Sequence, residues 1–320
     1  MKIIVDTDFW IEDVLAVTFL CSCKEVEIVA ITLVAAEAPM EIITTNIEKI
    51  MTFLGEKSIP IHVCSPYNMS GVIRSTNYHG PKVLGDVELP ESEVKVNRGM
   101  SSVEALIHYS KKYPNEIRAL FIGPLTNLAL AFLIDPEFPT RLASITILGT
   151  DRRDKNKFMH FYTAEFNSRC DPLAYVILKE NISKLNVPIT IIDTAACVAA
   201  RLPLDLAEGL KDLKNQTSEI NKHLDIFIMF LDRNNEHIKK YYHSNGIQTT
   251  DLFAAVGLVN DSIFKSIKKV NITNVVTSGW REGQVEYEDN TEGTLDLVDE
   301  IDSNLTFDMI VQKLNKCPIL

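Results

Sequence analysis

The chain has 320 residues, 46% of them hydrophobic and 23% charged, with 13 glycines and 13 prolines. That composition supports a packed core and excludes collagen-like, low-complexity and extensively disordered chains. With 32 basic and 43 acidic residues the net charge is −11, a field that opposes nonspecific binding to nucleic acid or to an anionic membrane face.

The chain opens on a short apolar run at 3–5 that meets charge at Asp6. With no small-residue cleavage site after it, this run reads as a strand and not as a signal peptide. A helical pattern over 13–23 follows, then a strand over 26–34, a helix over 41–54 and a strand over 59–63. Residues 102–113 read as a helix opened by Ser101 or Ser102. Apolar strands at 119–122 and 145–148 bracket a helix that follows the sequence GPLTN at 123–127. Asp171 and Pro172 open another helix, 187–192 is a strand, and Thr250 and Asp251 stand before an apolar helix over 252–259. This alternation predicts an α/β fold, one domain over 1–320 with a mostly parallel central sheet flanked by helices, an open Rossmann-like core. The polar stretches at 149–162, 211–222 and 241–248 read as loops or exposed helices of that domain. No apolar run approaches the roughly 18–20 residues of a membrane span. Six scattered cysteines without CxxC spacing read as reduced thiols of a cytoplasmic protein.

Ligands of parallel α/β sheets bind beyond the carboxyl ends of the strands, which directs attention to residues 6–13, 35–37, 123–127 and 149 onward. Asp6, Asp8, Glu12 and Asp13 crowd between a strand and a helix. A hard divalent cation relieves such repulsion; alternatively, the segment is a solvated loop whose Glu12 and Asp13 favour a helix N-terminus. Glu165 and Asn167, two apart, share a face on an extended segment and suit a pair of vicinal hydroxyls. Asp171 and Asp251, each taken alone, read as helix caps. There is no glycine-rich phosphate loop, GxSxG elbow or HExxH motif.

Taken together, DTD at 6–8 with ED at 12–13, GPLTN at 123–127, AEFN at 164–167 before DP at 171–172, and Asp251 at a helix start resemble the calcium-dependent nucleoside hydrolases, the inosine-uridine-preferring N-ribohydrolases. The motifs fall in family order over residues 3–256, and a β-rich piece at 275–285 is similar too. The resemblance implies Ca²⁺ as cofactor, a small ribonucleoside as partner and a homodimer or homotetramer. It makes Asp8 both calcium ligand and general base, Asp13 and Asp251 further ligands, and Thr126 a ligand through its backbone carbonyl, with Asp6 in support. Three carboxylates and a carbonyl leave room for water and two sugar hydroxyls among the 6–8 oxygens that Ca²⁺ takes.

By the same resemblance, Glu165 and Asn167 bind the ribose. Glu12 stands where the family has a ribose-binding Asp, Glu37 replaces an Asn, and Met159 falls where a second Asn contacts the sugar. Phe9 and Trp10 replace Pro-Gly in the tight turn, and Thr250 stands where many members have the His that helps the base depart. The leaving-group acid then falls to His79 or His243, with His160 a third choice. The implied reaction is hydrolysis of an N-glycosidic bond: water attacks C1′, Asp8 takes its proton, and the transition state resembles an oxocarbenium ion. Glu37, Met159 and Thr250 support an alternative, a non-catalytic homologue that keeps the calcium site as a binding or structural protein. Glu37, an acceptor in place of an amide, also admits a modified nucleoside or another glycoside that offers a donor there.

Overall fold

A computed structural model describes residues 1–36, 38–64, 66–71, 83–84, 87–152, 164–216, 220–242 and 246–315. Glu37, His79, Met159, His160 and His243, all named above, lie outside the described residues.

The first strand, β1 (Lys2–Thr7), is apolar on both faces because both faces are covered. Ile3 and Val5 point into one core cluster and Ile4 into the other, the period-2 alternation of a strand buried between two helical layers. It is followed by α1 (Ile11–Ser22), β2 (Glu27–Leu33), α2 (Met40–Leu54), β3 (Ile61–Val63), β4 (Asn97–Ser101) and α3 (Ser102–Lys112). Ser101 caps α3 in a reciprocal box with Glu104: the Glu104 N–H donates to the Ser101 hydroxyl at 3.2 Å, and the Ser101 N–H to the Glu104 carboxylate at 2.8 Å. Next come β5 (Ile117–Phe121), α4 (Thr126–Ile134), β6 (Ser144–Leu148), α5 (Phe166–Cys170), α6 (Pro172–Asn181) and β7 (Ile189–Ile192). The chain continues through α7 (Thr194–Ala200), α8 (Leu206–Gln216), α9 (Lys222–Tyr242) and α10 (Thr250–Val259). Last are β8 (Phe264–Val275), β9 (Val285–Asp289), β10 (Leu295–Ile301) and α11 (Ser303–Asn315).

Among the described residues one ten-stranded sheet runs in the order β4-β3-β2-β1-β5-β6-β7-β10-β8-β9. From β4 to β10 every pairing is parallel; only the β10–β8 and β8–β9 pairs are antiparallel. The expected α/β architecture is therefore present, with three corrections. Helix α1 starts at Ile11, so Glu12 and Asp13 sit in its first turn. Helix α9, 21 residues long, was hidden by its charged outer face, although Phe227, Phe230 and Leu231 bury into the core. The expected β-rich piece at 275–285 is the closed end of a hairpin: Val275 ends β8, Val285 opens β9, and residues 276–284 connect them. Among the described residues no helix is long and apolar enough to cross a membrane, and Cys21, Cys23, Cys64, Cys170 and Cys197 are thiols.

Candidate active site

Beyond the carboxyl ends of β1, β5 and β6 lies a cavity of ≈150 Å³. Five acids line it: Asp8, Glu12, Asp13, Glu165 and Asp251. Asn167 and Thr250 add polar groups, and Trp10, Phe166, Ile122 and Leu148 supply the apolar wall. The Trp10 and Phe166 rings meet at 4.8 Å between centroids, tilted by 57°. Among the described residues no basic or imidazole side chain lines the cavity.

The turn from β1 to α1 aims its acids by local hydrogen bonds. Thr7 Oγ1 accepts the Phe9 N–H at 3.0 Å and donates to Asp13 Oδ1, while the Trp10 N–H donates to Asp13 Oδ2 at 2.8 Å. Phe9 takes a φ of 56°, the left-handed region that a bulky side chain rarely enters, so the turn after Asp8 is strained. Asp6, deeper still, accepts from Thr32 Oγ1 at 2.6 Å and Asn127 Nδ2 at 2.8 Å. Asn127 Nδ2 also donates to the Leu33 carbonyl at 2.9 Å, so the last residue of GPLTN ties together the ends of β1 and β2.

Gly123, the first residue of GPLTN, presses directly on Asp8. A Cβ there would stand 2.5 Å from Val34 Cγ1, 3.0 Å from the Asp8 nitrogen and 3.2 Å from Asp8 Oδ1. Gly123→Ala is therefore expected to displace Asp8, cutting activity while costing about 1–3 kcal/mol of stability from overpacking. Adding Val34→Ala, which removes the tightest contact, should restore part of both; urea denaturation and turnover measured on the single and double variants check this.

Burial dominates the electrostatics. It pushes Asp6 and Glu165 up to about 7 and Glu12 to about 7, and Asp13 to about 6. Asp251 is raised well above its ordinary value, by burial and then by repulsion from Asp13, Glu12 and Asp8. The Asp251 and Asp13 side chains are hydrogen-bonded to each other, so the pair holds a proton between them. The set needs protons or an external cation, and its oxygen-only donors match a hard ion. Yet among the described residues no three His, Cys, Asp or Glu side chains are already arranged to hold a metal ion.

The residues read as sugar-binding are placed differently from expectation. Glu165 and Asn167 both line the cavity, but not from an extended segment: Glu165 is the N-cap of α5, its carboxylate accepting the N–H groups of Asn167 and Ser168 at 2.8 Å each. Asn167, inside that helix, donates through Nδ2 to the Ile122 carbonyl at 2.8 Å. Glu12 Oε2 accepts both the N–H and the hydroxyl of Thr250, at 2.6 and 2.9 Å. Asp171 does cap α6, and it also accepts from Thr126 Oγ1 at 2.6 Å. Asp251 is not a cap: it is the second residue of α10, whose N-cap is Thr249. Thr126 opens α4 close behind Gly123 and is not among the residues lining the cavity. Asp8, Glu12, Asp13, Glu165, Asn167 and Asp251 are thus brought together; Thr126 stands behind them.

Sequence reasoning missed Thr150. Just past β6 it takes a φ of 67°, gives its N–H to Glu165 and its hydroxyl to Asp193 Oδ2 at 2.9 Å. Asp193 in turn caps α7 and lies 3.6 Å from the Arg152 guanidinium. Only the position of Thr150, immediately after a strand end and a glycine, could have pointed to it.

An acid-walled cavity beyond the carboxyl edge of a mostly parallel sheet makes this an α/β protein with a polar cavity where ligands of such sheets bind. The chain belongs to the inosine-uridine preferring nucleoside hydrolase family, whose sequence pattern matches residues 3–308. It is 35% identical over 150 residues to uridine nucleosidase 1 of Arabidopsis thaliana, covering 46% of this chain and 44% of that protein. To the inosine-uridine preferring nucleoside hydrolase of Leishmania major it is 28% identical over 195 residues, 59% and 61% of the two chains. The chain spans about half the length of the uridine nucleosidases it matches. In fold it resembles a purine-preferring ribonucleoside hydrolase from Gardnerella vaginalis, with a TM-score of 0.84 and 21% identity over 98% of both chains. A plant nucleoside hydrolase superposes with a TM-score of 0.81, again at 21% identity over 98% of both.

Proposed function

We propose that this chain hydrolyses the N-glycosidic bond of a ribonucleoside, releasing free base and ribose, with Ca²⁺ as cofactor. The observation that carries this reading is the convergence of Asp8, Asp13 and Asp251, from the two ends of the chain, with Glu165 and Asn167 in one cavity. The oxygen-only donor set supports calcium, with Asp8, Asp13, Asp251 and the Thr126 carbonyl as its ligands. When bound, Ca²⁺ supplies the positive charge that offsets these acids, grips a sugar diol and acidifies water. Asp8 accepts the proton of the attacking water, and Gly123 behind it fixes its position. Asn167, anchored through Nδ2, keeps its carbonyl oxygen for a ribose hydroxyl. Glu165, oriented by three backbone N–H groups, stabilises positive charge that develops on the sugar ring. Trp10 and Phe166 offer an apolar aromatic wall.

Thr250, whose hydroxyl is engaged with Glu12 and has no proton that titrates near neutral pH, does not replace a histidine as leaving-group acid, so His79 or His243 is the acid we propose. That engagement also favours the second reading, a binding protein without turnover. The names of the relatives make uridine and inosine the first substrates to try, and a homodimer or homotetramer is the assembly we propose. Purified protein incubated with each of these nucleosides and calcium is expected to release free base, read by chromatography. Calcium binding without base release across a broad nucleoside panel would leave the binding protein as the correct reading.

A further inference from the structure

Helix α10 starts without a cap of its own. Its N-cap residue Thr249 makes no side-chain cap bond, and Thr249 Oγ1 is buried with no hydrogen-bond partner among the described residues. The first N–H groups of a helix need acceptors from outside it. Here the acceptor arrives from 238 positions away: Glu12 Oε2 takes the Thr250 N–H at 2.6 Å and the Thr250 hydroxyl at 2.9 Å. The same carboxylate takes the backbone N–H of Asp251. An acid at a helix N-terminus also complements the helix dipole. Helices α1 and α10 are packed together through the core cluster that holds Val14, Leu15, Leu252 and Phe253, so a link between their first turns has rigid ends.

We propose that Glu12 is a positioning residue, which caps α10 in place of Thr249 and so fixes the backbone that carries Asp251 against Asp13. The inference rests on the reading of Asp251 as a functional ligand, and it replaces the sugar contact that the family resemblance implies for Glu12. Two donors on one oxygen leave this carboxylate little freedom to follow a substrate. A shorter acid at position 12 would keep the charge but lose the reach to Thr250. A glutamine would keep the reach and one acceptor oxygen but lose the charge.

That contrast is the test. Glu12→Asp and Glu12→Gln are compared with wild type in three ways: melting temperature in the presence of chelator, calcium affinity by titration calorimetry, and KM and kcat for base release. A cap lost from a buried helix start lowers the melting temperature by a few degrees. Glu12→Asp is expected to show that drop, with calcium affinity and kcat down about tenfold or more. Glu12→Gln should melt within about 2 °C of wild type and hold calcium affinity and KM within about threefold. The proposal is overturned if Glu12→Asp melts like wild type, if Glu12→Gln melts as low as Glu12→Asp, or if Glu12→Gln loses as much calcium affinity or KM as Glu12→Asp; the last pattern means that the charge itself contacts ligand. If the wild-type protein binds no calcium and releases no base, the functional reading fails, while the melting order of the two variants still decides the cap.

Discussion

Asp8→Asn is expected to leave the protein folded and to lower kcat for base release by about 10²–10⁴-fold, the contribution of a well-placed general base. The substitution conserves shape, so the packing against Gly123 survives and the strained turn at Phe9 is not disturbed. What it removes is the carboxylate proposed to take a proton from the attacking water, while the other acids of the cavity, Glu12, Asp13, Glu165 and Asp251, remain. Loss of a group that acts on the reacting water lowers kcat and kcat/KM together, whereas loss of a mere binding contact would raise KM alone. Because Asp8 is also a proposed calcium ligand, calorimetry belongs beside the kinetics: weaker calcium binding with kcat recovered at saturating calcium would make Asp8 a ligand and not the base. An Asp8→Asn protein with wild-type turnover would remove the mechanism altogether.

Much of this arrangement was legible in the sequence, and the reasons differ from residue to residue. The strand 3–5 was readable because a parallel strand covered on both faces needs an unbroken apolar run, and Asp6 to Asp13 were readable because charge follows that run at once. The helices over 41–54 and 102–113 announced themselves by periodicity, and the second also by its Ser101 cap. Helix α9 was not readable, since its apolar stripe is diluted by polar residues on the remaining surface of a long helix. At the site, the strand end gave Asp8, Glu12 and Asp13, while Glu165 and Asp251, which stand at helix starts, were legible as site acids only together with the other motifs; the partners of all five could not be read. Nothing local connects Glu12 with Thr250 or Thr150 with Glu165; these contacts exist only because the fold brings distant turns together. The same limit explains the error at 165–167: an alternating pattern of two residues fits a strand, but a Glu followed by two N–H groups it can accept is equally a helix cap, and the cap won.

Glu12 and Thr250, the two positions near the late helix at which the resemblance implies other residues, touch each other. Asp8, Asp13 and Asp251 line the same cavity as this contact.

Asp251→Asn is expected to separate the stability of the site from its function by moving the two in opposite directions. In wild-type protein stripped with chelator, Asp251 is buried among Asp13, Glu12 and Asp8, all of which repel its charge. Because those charges keep Asp251 from ionising, folding of the stripped protein near pH 7 must take up a proton there; an amide of the same shape needs none and still offers Asp13 a donor, so the stripped variant should gain about 1–3 kcal/mol. At about 2 °C per kcal/mol for a chain of this size, the melting temperature rises by a few degrees. Calcium acts in the reverse sense on the wild type. A ligand at a hundred times its Kd stabilises the folded state by about 2.7 kcal/mol, and here it does so by offsetting the very charges that the amide has already removed. The variant has lost an anionic ligand, so added calcium should shift its melting temperature little, and base release should fall at least as far as the affinity does. Thermal melts of both proteins with chelator and with saturating calcium check the pattern. An Asp251→Asn protein that is less stable than stripped wild type, yet gains the full calcium shift, would mean that Asp251 serves the packing of α10 and not the ion.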